Sequence, residues 1–405
     1  MRNGWVRTQI SEVAVVQSGA GFPDRYQGQV GEELPFYKVS DMNIVGNERV
    51  MTYENNSIAK EVRHALGAFL FPEGSTIFPK IGGAIATNKK RLTTRDCCVD
   101  NNVMGVVPRI GKIDSNFLFY FFLAHDLSKF ANEAHLPSIK KTVVESLPIT
   151  LPAKVSEQQR IVAILDEAFA SITTAKANAE KNLHNARDLF ESHLQSVFVK
   201  RGDGWKPTTL GAEIDLLVGF AFKSERYTES EEGIRLLRGD NIIQGSLRWE
   251  DAKRWPSDDV KAYQRYQLCE GDVVLAMDRP WVKAGLKRAT ISGGDLPCLL
   301  VQRTACLRTG ANLDSRFLVQ LLSSNAFTSH ILGVQTGLGV PHISGQQISA
   351  FQFARPALAD QRRIAHSLET LRSECSRLES VYQRKLTALD DLKKSLLHQA
   401  FSGHL

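Results

Sequence analysis

The sequence predicts a mixed α/β (α+β) protein built as two tandem pseudo-repeats. Each is a globular domain followed by a long helix, and the two helices pair as an antiparallel coiled coil. Three observations carry this. Residues 360–400 have no Pro or Gly, and they place Ile364, Leu371, Leu378, Lys385 and Leu392 at one heptad position and Leu368, Cys375, Tyr382, Leu389 and Leu396 at another. A narrow apolar seam of period 3.5 is the signature of a coiled coil. Residues 157–197 begin EQQRIVAIL, which aligns with the DQRRIAHSL of the later helix, and form their own seam from Ile161, Leu165, Ala168, Ile172, Ala175, Ala179, Ala186 and Leu189, with Asn182 also at a seam position. Finally, the segments before the two helices resemble each other from end to end.

That resemblance is ordered. Gly4-Trp5 matches Gly204-Trp205, Gly19 matches Gly219 and Phe22 matches Phe222. Asp41 falls opposite Asp240, Cys98 opposite Cys298, residues 114–118 opposite 314–318, and Pro137 and Ile139 opposite Pro341 and Ile343. A unit of this length is too long for a solenoid repeat and is a duplicated two-part module. The 405 residues accommodate two ordinary cores plus the helices. The predicted division is 1–154, 155–199, 200–357 and 358–405.

Within each globular domain, FLFPEGSTIFP and QLCEGDVVLAM read as strand–turn–strand with Glu-Gly at the turn. Residues 102–107 and 301–307 read as strands. Residues 115–130 and 315–332 read as helical, each preceded by an aspartate suited to an N-cap. The aromatic run 117–122 is read as core rather than as a base-stacking surface. Leu151-Pro152 and Arg355-Pro356 mark the exits into the long helices. At about 1.5 Å per residue each helix reaches roughly 60 Å. If the second packs back along the first, the globular domains lie at opposite ends of a rod.

No apolar run approaches the length of a membrane span, and the N-terminus lacks an export-type apolar stretch. The six cysteines show no CxxC or His-Cys ligand spacing. A reducing cytoplasm, with cysteines as small apolar residues, is the expectation. The net charge of +6 resides in the two globular domains, divided evenly, because the helices cancel. Local clusters matter more: Lys80, Lys89, Lys90, Arg91 and Arg95 in the first domain, and Arg238, Arg279, Trp281, Lys283, Lys287 and Arg288 in the second. Such side chains neutralise phosphates, and arginine bridges guanine edges. Asn101, Asn102, Asn241, Gln244 and Gln302 are of a type that reads adenine, though turns use these residues too.

Catalytic signatures are missing. The sequence has no GxxxxGK[ST], no GxGxxG after a strand, no [DN]PP[YFW] and no HExxH. Asp278 and Lys283 suggest a nuclease pair, but no second carboxylate is placed beside them. His64, His125 and His135 have no counterparts in the other repeat. Two halves that share core positions but no paired chemistry read as a double binding module, with no metal site.

LPITLPAKVSEQQRIVAILDEAF and FQFARPALADQRRIAHSLETL, together with LKKSLLHQAFSGHL, the GWxxxxL at each domain's start and EGDVVLA, resemble the specificity subunits of type I restriction–modification systems. The resemblance covers essentially the whole chain. It implies that each globular domain is a target recognition domain reading half of a split, asymmetric site on double-stranded DNA. The helix pair would be a ruler that also docks two methyltransferase subunits, and a restriction and translocation subunit could join the assembly. The helix-pair and docking residues would be Glu157, Gln158, Ile161 and Leu165 in the first helix, and Asp360, Gln361, Ile364, Leu368, Leu371, Leu378, Leu389 and Leu396 in the second. The chain itself would be non-catalytic and carry no cofactor, with S-adenosylmethionine, ATP and Mg on the partners. A methylation-only defence system would use the same kind of subunit, and a coiled-coil scaffold that binds protein is the remaining alternative.

Overall fold

Two helices dominate the chain, Val155–Lys200 and Leu358–Ser402. The computed structural model describes residues 4–132, 135–200, 202, 204–283, 285–337 and 339–405; the predicted start of the first domain lies outside these. The fold divides into one unit of residues 1–180 with 383–405 and another of residues 181–382, so each long helix contributes a segment to both units. Among the described residues no single helix is long and apolar enough to cross a membrane.

In the first unit, five strands pair in the order Ala14–Ser18, Val103–Pro108, Thr76–Pro79, Arg91–Thr93 and Val50–Met51. A three-stranded sheet runs Ser57–Ile58, Leu34–Tyr37, Cys98–Val99, and Trp5–Gln9 pairs antiparallel with Pro148–Pro152. That last ribbon explains the repeated Gly-Trp: the entry strand lies against the strand that leads into the long helix. The second unit repeats the plan. Its four-stranded sheet runs Ile214–Val218, Thr304–Thr309, Val273–Ala276, Arg288–Thr290, and its three-stranded sheet runs Arg254–Trp255, Ile234–Leu237, Cys298–Leu300. Lys206–Thr209 pairs with Gln352–Arg355, and a hairpin, Trp281–Val282 with Gly285–Leu286, is added.

The Glu-Gly turns form as predicted, with Gly74 and Gly271 both at positive φ. Only the second limb is a strand in each case. The first limb pairs at isolated bridges, Phe71 with Cys97 and Gln267 with Leu299. The helices that follow are capped by Asp114, which accepts from the Phe117 N–H at 3.0 Å, and by Asp314, which accepts from Arg316 N–H at 3.0 Å. Phe117 to Phe122 are all buried, so the aromatic run is core.

Two register assignments shift. The Phe71 N–H donates to the Cys97 carbonyl and the Leu268 N–H to that of Cys298, so Cys97, not Cys98, is the counterpart of Cys298. Asp41 accepts from the Lys38 N–H at 2.6 Å and Asn241 from the Arg238 N–H at 3.0 Å, so Asp41 corresponds to Asn241, not Asp240. Small insertions and deletions between the halves change the offset, and identity at a fixed spacing picked the neighbouring residue. Gly19 and Gly219 hold their predicted correspondence. A Cβ at Gly19 would sit 2.0 Å from the Asp100 carbonyl oxygen, and one at Gly219 2.2 Å from that of Val301.

In each unit the helix segments pack antiparallel. In the first, Ile161 and Leu165 share a core with Leu397 and Ala400, and Lys176 pairs with Asp390 at 2.7 Å. In the second, Phe190 and Leu194 pack with Leu368 and Cys375, and Arg187 pairs with Glu379 at 2.8 Å. The seam departs from the predicted one at four places: Asn182, Leu189, Lys385 and Leu392 are exposed, and Phe190, Leu194, Leu397 and Ala400 are buried instead. A seam that follows a globular core at its end is wider than a strict two-position heptad stripe, and it draws in the adjacent position. Ile364, Leu371, Leu378, Leu389 and Leu396 are half-buried.

The repeated helix start has a structural role. Gln158 and Gln361 are both fully buried. Gln158 accepts from the Asp114 N–H at 2.8 Å and donates to the carbonyls of Pro152 at 2.9 Å and Lys112 at 3.2 Å. Gln361 accepts from the Asp314 N–H at 2.8 Å and donates to Pro356 and Asn312 carbonyls, each at 2.9 Å. One amide thus ties the helix start, the strand before it and the capped core helix together in each unit. Glu157 and Asp360, one residue earlier, pair with Arg160 and Arg363 on their own helices.

Candidate nucleic-acid interface

Three turns build the polar end of each unit. In the second unit they follow Ile234–Leu237, follow Val273–Ala276 and precede Thr304–Thr309, strands that the two sheets bring side by side. They supply Arg238 and Asp240, then Asp278 and Arg279, then Gln302 and Arg303, and these line one cleft together with Lys287. The Arg238 guanidinium lies 3.8 Å from Asp240, and that of Arg303 lies 3.8 Å from Asp278. Burial pushes the Lys287 ammonium pKa down, and the charges of Arg279 and Arg248 act in the same direction. A cleft with this excess of cations is suited to an anionic ligand.

The predicted basic loop of the second unit does not stay together. Strand alternation sends Lys287 to this cleft and Arg288 to another, lined by Trp281, Lys283, Gln244, Glu191 and Arg372. Arg288 donates to the Ser323 hydroxyl, and burial pushes its pKa down to about 10. Trp281 and Lys283 are exposed on the added hairpin. Asn241 is buried and bonded on both sides of its amide, accepting from Arg238 N–H and donating to the Arg248 carbonyl at 3.0 Å. It shapes a turn, so its predicted role as a DNA contact is withdrawn.

The first unit is arranged differently. Lys80 donates to the Ser18 hydroxyl at 3.1 Å, Lys89 donates to the Asn43 side chain, and Arg95 pairs with Glu54 at 2.5 Å. Lys90 and Arg91 are buried. The Lys90 ammonium donates to the Asn88 side chain at 2.6 Å and the His125 carbonyl at 2.7 Å, and burial pushes its pKa down to about 8. Arg91 donates to the Lys90 and Met42 carbonyls at 2.8 and 2.9 Å. These two cations hold the globular part together and are corrected from DNA contacts to internal ties. Their side chains leave toward different neighbours, Asn88 and His125 for Lys90 and Met42 for Arg91, and both sides are covered.

Two groups escaped sequence reasoning. Arg303 sits in a turn whose first-unit counterpart is Asn102, since the Met277 and Lys80 N–H groups donate to the Arg303 and Asn102 carbonyls, respectively. The repeat alignment carried that signal. Arg49, by contrast, pairs with Asp166 at 2.8 Å while Tyr120 donates to the same carboxylate, and this joins the first globular part to its helix. Sequence separation hid the contact. Asp240 also joins Asp278 in one cleft, the second carboxylate that the sequence did not place. Among the described residues, no group of three or more His, Cys, Asp or Glu side chains is placed to hold a metal ion.

The structure is thus a duplicated α/β unit whose matched turns carry different side chains in the two copies, with a polar cleft at these turns in the second. Residues 2–182 match the family described as type I restriction modification DNA specificity domain. The chain is 31% identical over 254 residues to the type I restriction enzyme EcoAI specificity subunit of Escherichia coli, a match covering 62% of this chain and 42% of that protein. It is 25% identical over 308 residues to the MjaVIII specificity subunit of Methanocaldococcus jannaschii, covering 72% and 71%. The fold matches the crystal structure of the HsdS subunit from Thermoanaerobacter tengcongensis with a TM-score of 0.68 at 17% identity, covering 100% of this chain and 98% of that one. A chain solved in work on complex assembly and conformational transition of the type I R-M system matches at 0.75 with 16% identity, covering 100% and 99%. The family match falls on residues 2–182, and the chain spans less than half the length of the EcoAI subunit it resembles.

Proposed function

We propose that this chain is the DNA sequence-recognition subunit of a type I restriction–modification complex. Each globular unit reads one half of a split, asymmetric target in double-stranded DNA. The long helices set the gap between the halves and dock two methyltransferase subunits, to which a restriction and translocation subunit adds. The chain does no chemistry of its own; S-adenosylmethionine, ATP and Mg act on the partners.

The observation that supports this best is divergence on a shared backbone. Arg279 stands where the first unit has Gly82, because their N–H groups donate to the equivalent Pro341 and Pro137 carbonyls. Arg303 likewise stands where the first unit has Asn102. Two copies of one fold that differ at the tips of matched turns are suited to two different half-sites, since turns present side chains while the sheets fix where they point. Single-molecule methylome sequencing of the host with this gene intact and deleted tests the reading. Deletion should erase one split, asymmetric adenine-methylation motif. A methylome unchanged by deletion, with the methyltransferase expressed, refutes it.

A further inference from the structure

Among the described residues, three non-glycine residues have positive φ, and two of them, Arg279 at 45° and Arg303 at 64°, line the same cleft. A left-handed backbone is disfavoured for any residue with a Cβ, and such strain collects at functional sites. The first unit meets the same need at position 82 with a glycine at φ 70°. The backbone at 279 therefore requires no arginine, and at the turn matching 303 the first unit carries Asn102, which is not at positive φ, so the left-handed arginine belongs to the second unit alone. Arg238 and Lys287 flank the pair, and the nearest carboxylates lie 3.8 Å from Arg238 and Arg303, longer than a hydrogen-bonded ion pair. In the first unit, the lysines at the matching end are engaged by neutral groups of their own domain: Lys38 donates to Gln27 at 2.8 Å and Lys80 to Ser18. A guanidinium offers a planar fork of donors that matches the O6 and N7 acceptors of guanine, which an ammonium cannot reproduce.

We infer that Arg279 and Arg303 read guanine in the half-site recognised by the second unit, with Arg238 and Lys287 contacting the adjoining phosphates. The inference rests on the chain being a DNA-recognition subunit, and it adds which residues discriminate and which base they select.

The test is enrichment of bound sequences from a randomised duplex pool by the full-length chain, as wild type, Arg279→Gly, Arg303→Asn and Arg303→Lys. The first two variants install the residue that the first unit carries at the matching position. Each should lose one guanine preference in a single half-site and leave the other half-site unchanged, which also reports that the chain is folded. Arg303→Lys should lose the same preference while keeping the salt dependence of binding. In the selected duplex, 7-deazaguanine at that base should weaken wild type about tenfold and leave the Arg303 variants unaffected. Variants that keep the full consensus but bind every sequence more weakly, with the salt dependence reduced by about one ion, would make these residues phosphate contacts and overturn the inference. A consensus without guanine in the half-site that the variants weaken would overturn it too, leaving the recognition role intact. A wild-type chain that enriches no sequence would remove the recognition role and this inference with it.

Discussion

Replacing Gln361 with alanine removes a fully buried amide that closes three hydrogen bonds, at 2.8, 2.9 and 2.9 Å. The Asp314 N–H and the Asn312 and Pro356 carbonyls then each lose a hydrogen-bond partner. Each intramolecular bond contributes about 0.5–1.5 kcal/mol net, and orphaned partners cost more, so the loss should be about 3–5 kcal/mol. The Asp314 N–H belongs to the residue that caps a core helix, so the damage should spread beyond the helix start. Urea unfolding followed by tryptophan fluorescence is the assay, because Trp205, Trp249, Trp255 and Trp281 all lie in the second unit. The neighbouring Gln159 of the first motif is exposed, and its alanine variant should stay within about 0.5 kcal/mol of wild type. Gln361→Glu keeps the volume but turns a carboxylate oxygen toward two carbonyls. It should be as damaging at neutral pH and partly relieved by acid, when a proton restores one donor. A Gln361→Ala shift below about 1 kcal/mol would refute the idea that the repeated glutamine is a structural tie.

Other outcomes follow from the same structure. Gly19→Ala and Gly219→Ala should each unfold the unit that carries them, by circular dichroism, because the new methyl would meet a backbone carbonyl oxygen at 2.0 or 2.2 Å. Lys90 has its folded pKa lowered to about 8 from 10.5, so the folded state binds fewer protons than the unfolded chain between those values and stability rises with pH across that window. Taken as wild type minus Lys90→Met, which cancels the contribution of titrating cysteines, the rise in unfolding free energy should be about 3 kcal/mol. A flat difference between pH 8 and 10.5 would contradict it. Asp272 is buried, accepts two hydrogen bonds from Arg308 at 2.9 Å and receives the Cys269 N–H at 2.8 Å. Asp272→Ala should destabilise the second unit by about 3 kcal/mol in denaturant titration.

The duplication, the two long helices and their antiparallel pairing were all legible in the residues, because heptad spacing and a repeated helix start are one-dimensional signals of packing. The Asp114 and Asp314 caps and the correspondence of Gly19 with Gly219 were legible too, since local geometry demands a particular residue type at a particular place; the close backbone approach at the two glycines came only from the structure. The destination of each cation was not. Lys90 and Arg91 read as part of an exposed basic run, and only the tertiary structure shows that distant segments cover both, at His125 for Lys90 and Met42 for Arg91. Lys287 and Arg288 are neighbours in sequence and occupants of different clefts, since successive side chains of a strand leave opposite faces. Arg303 joins Arg279 only because the strands that end in their turns are adjacent in one sheet, a pairing between distant segments that composition does not encode. The sequence by itself determined the modules and how the chain is ordered; the tertiary structure decided which charges remain free to meet a ligand, because burial and long-range pairing settle where each cation's hydrogen bonds go.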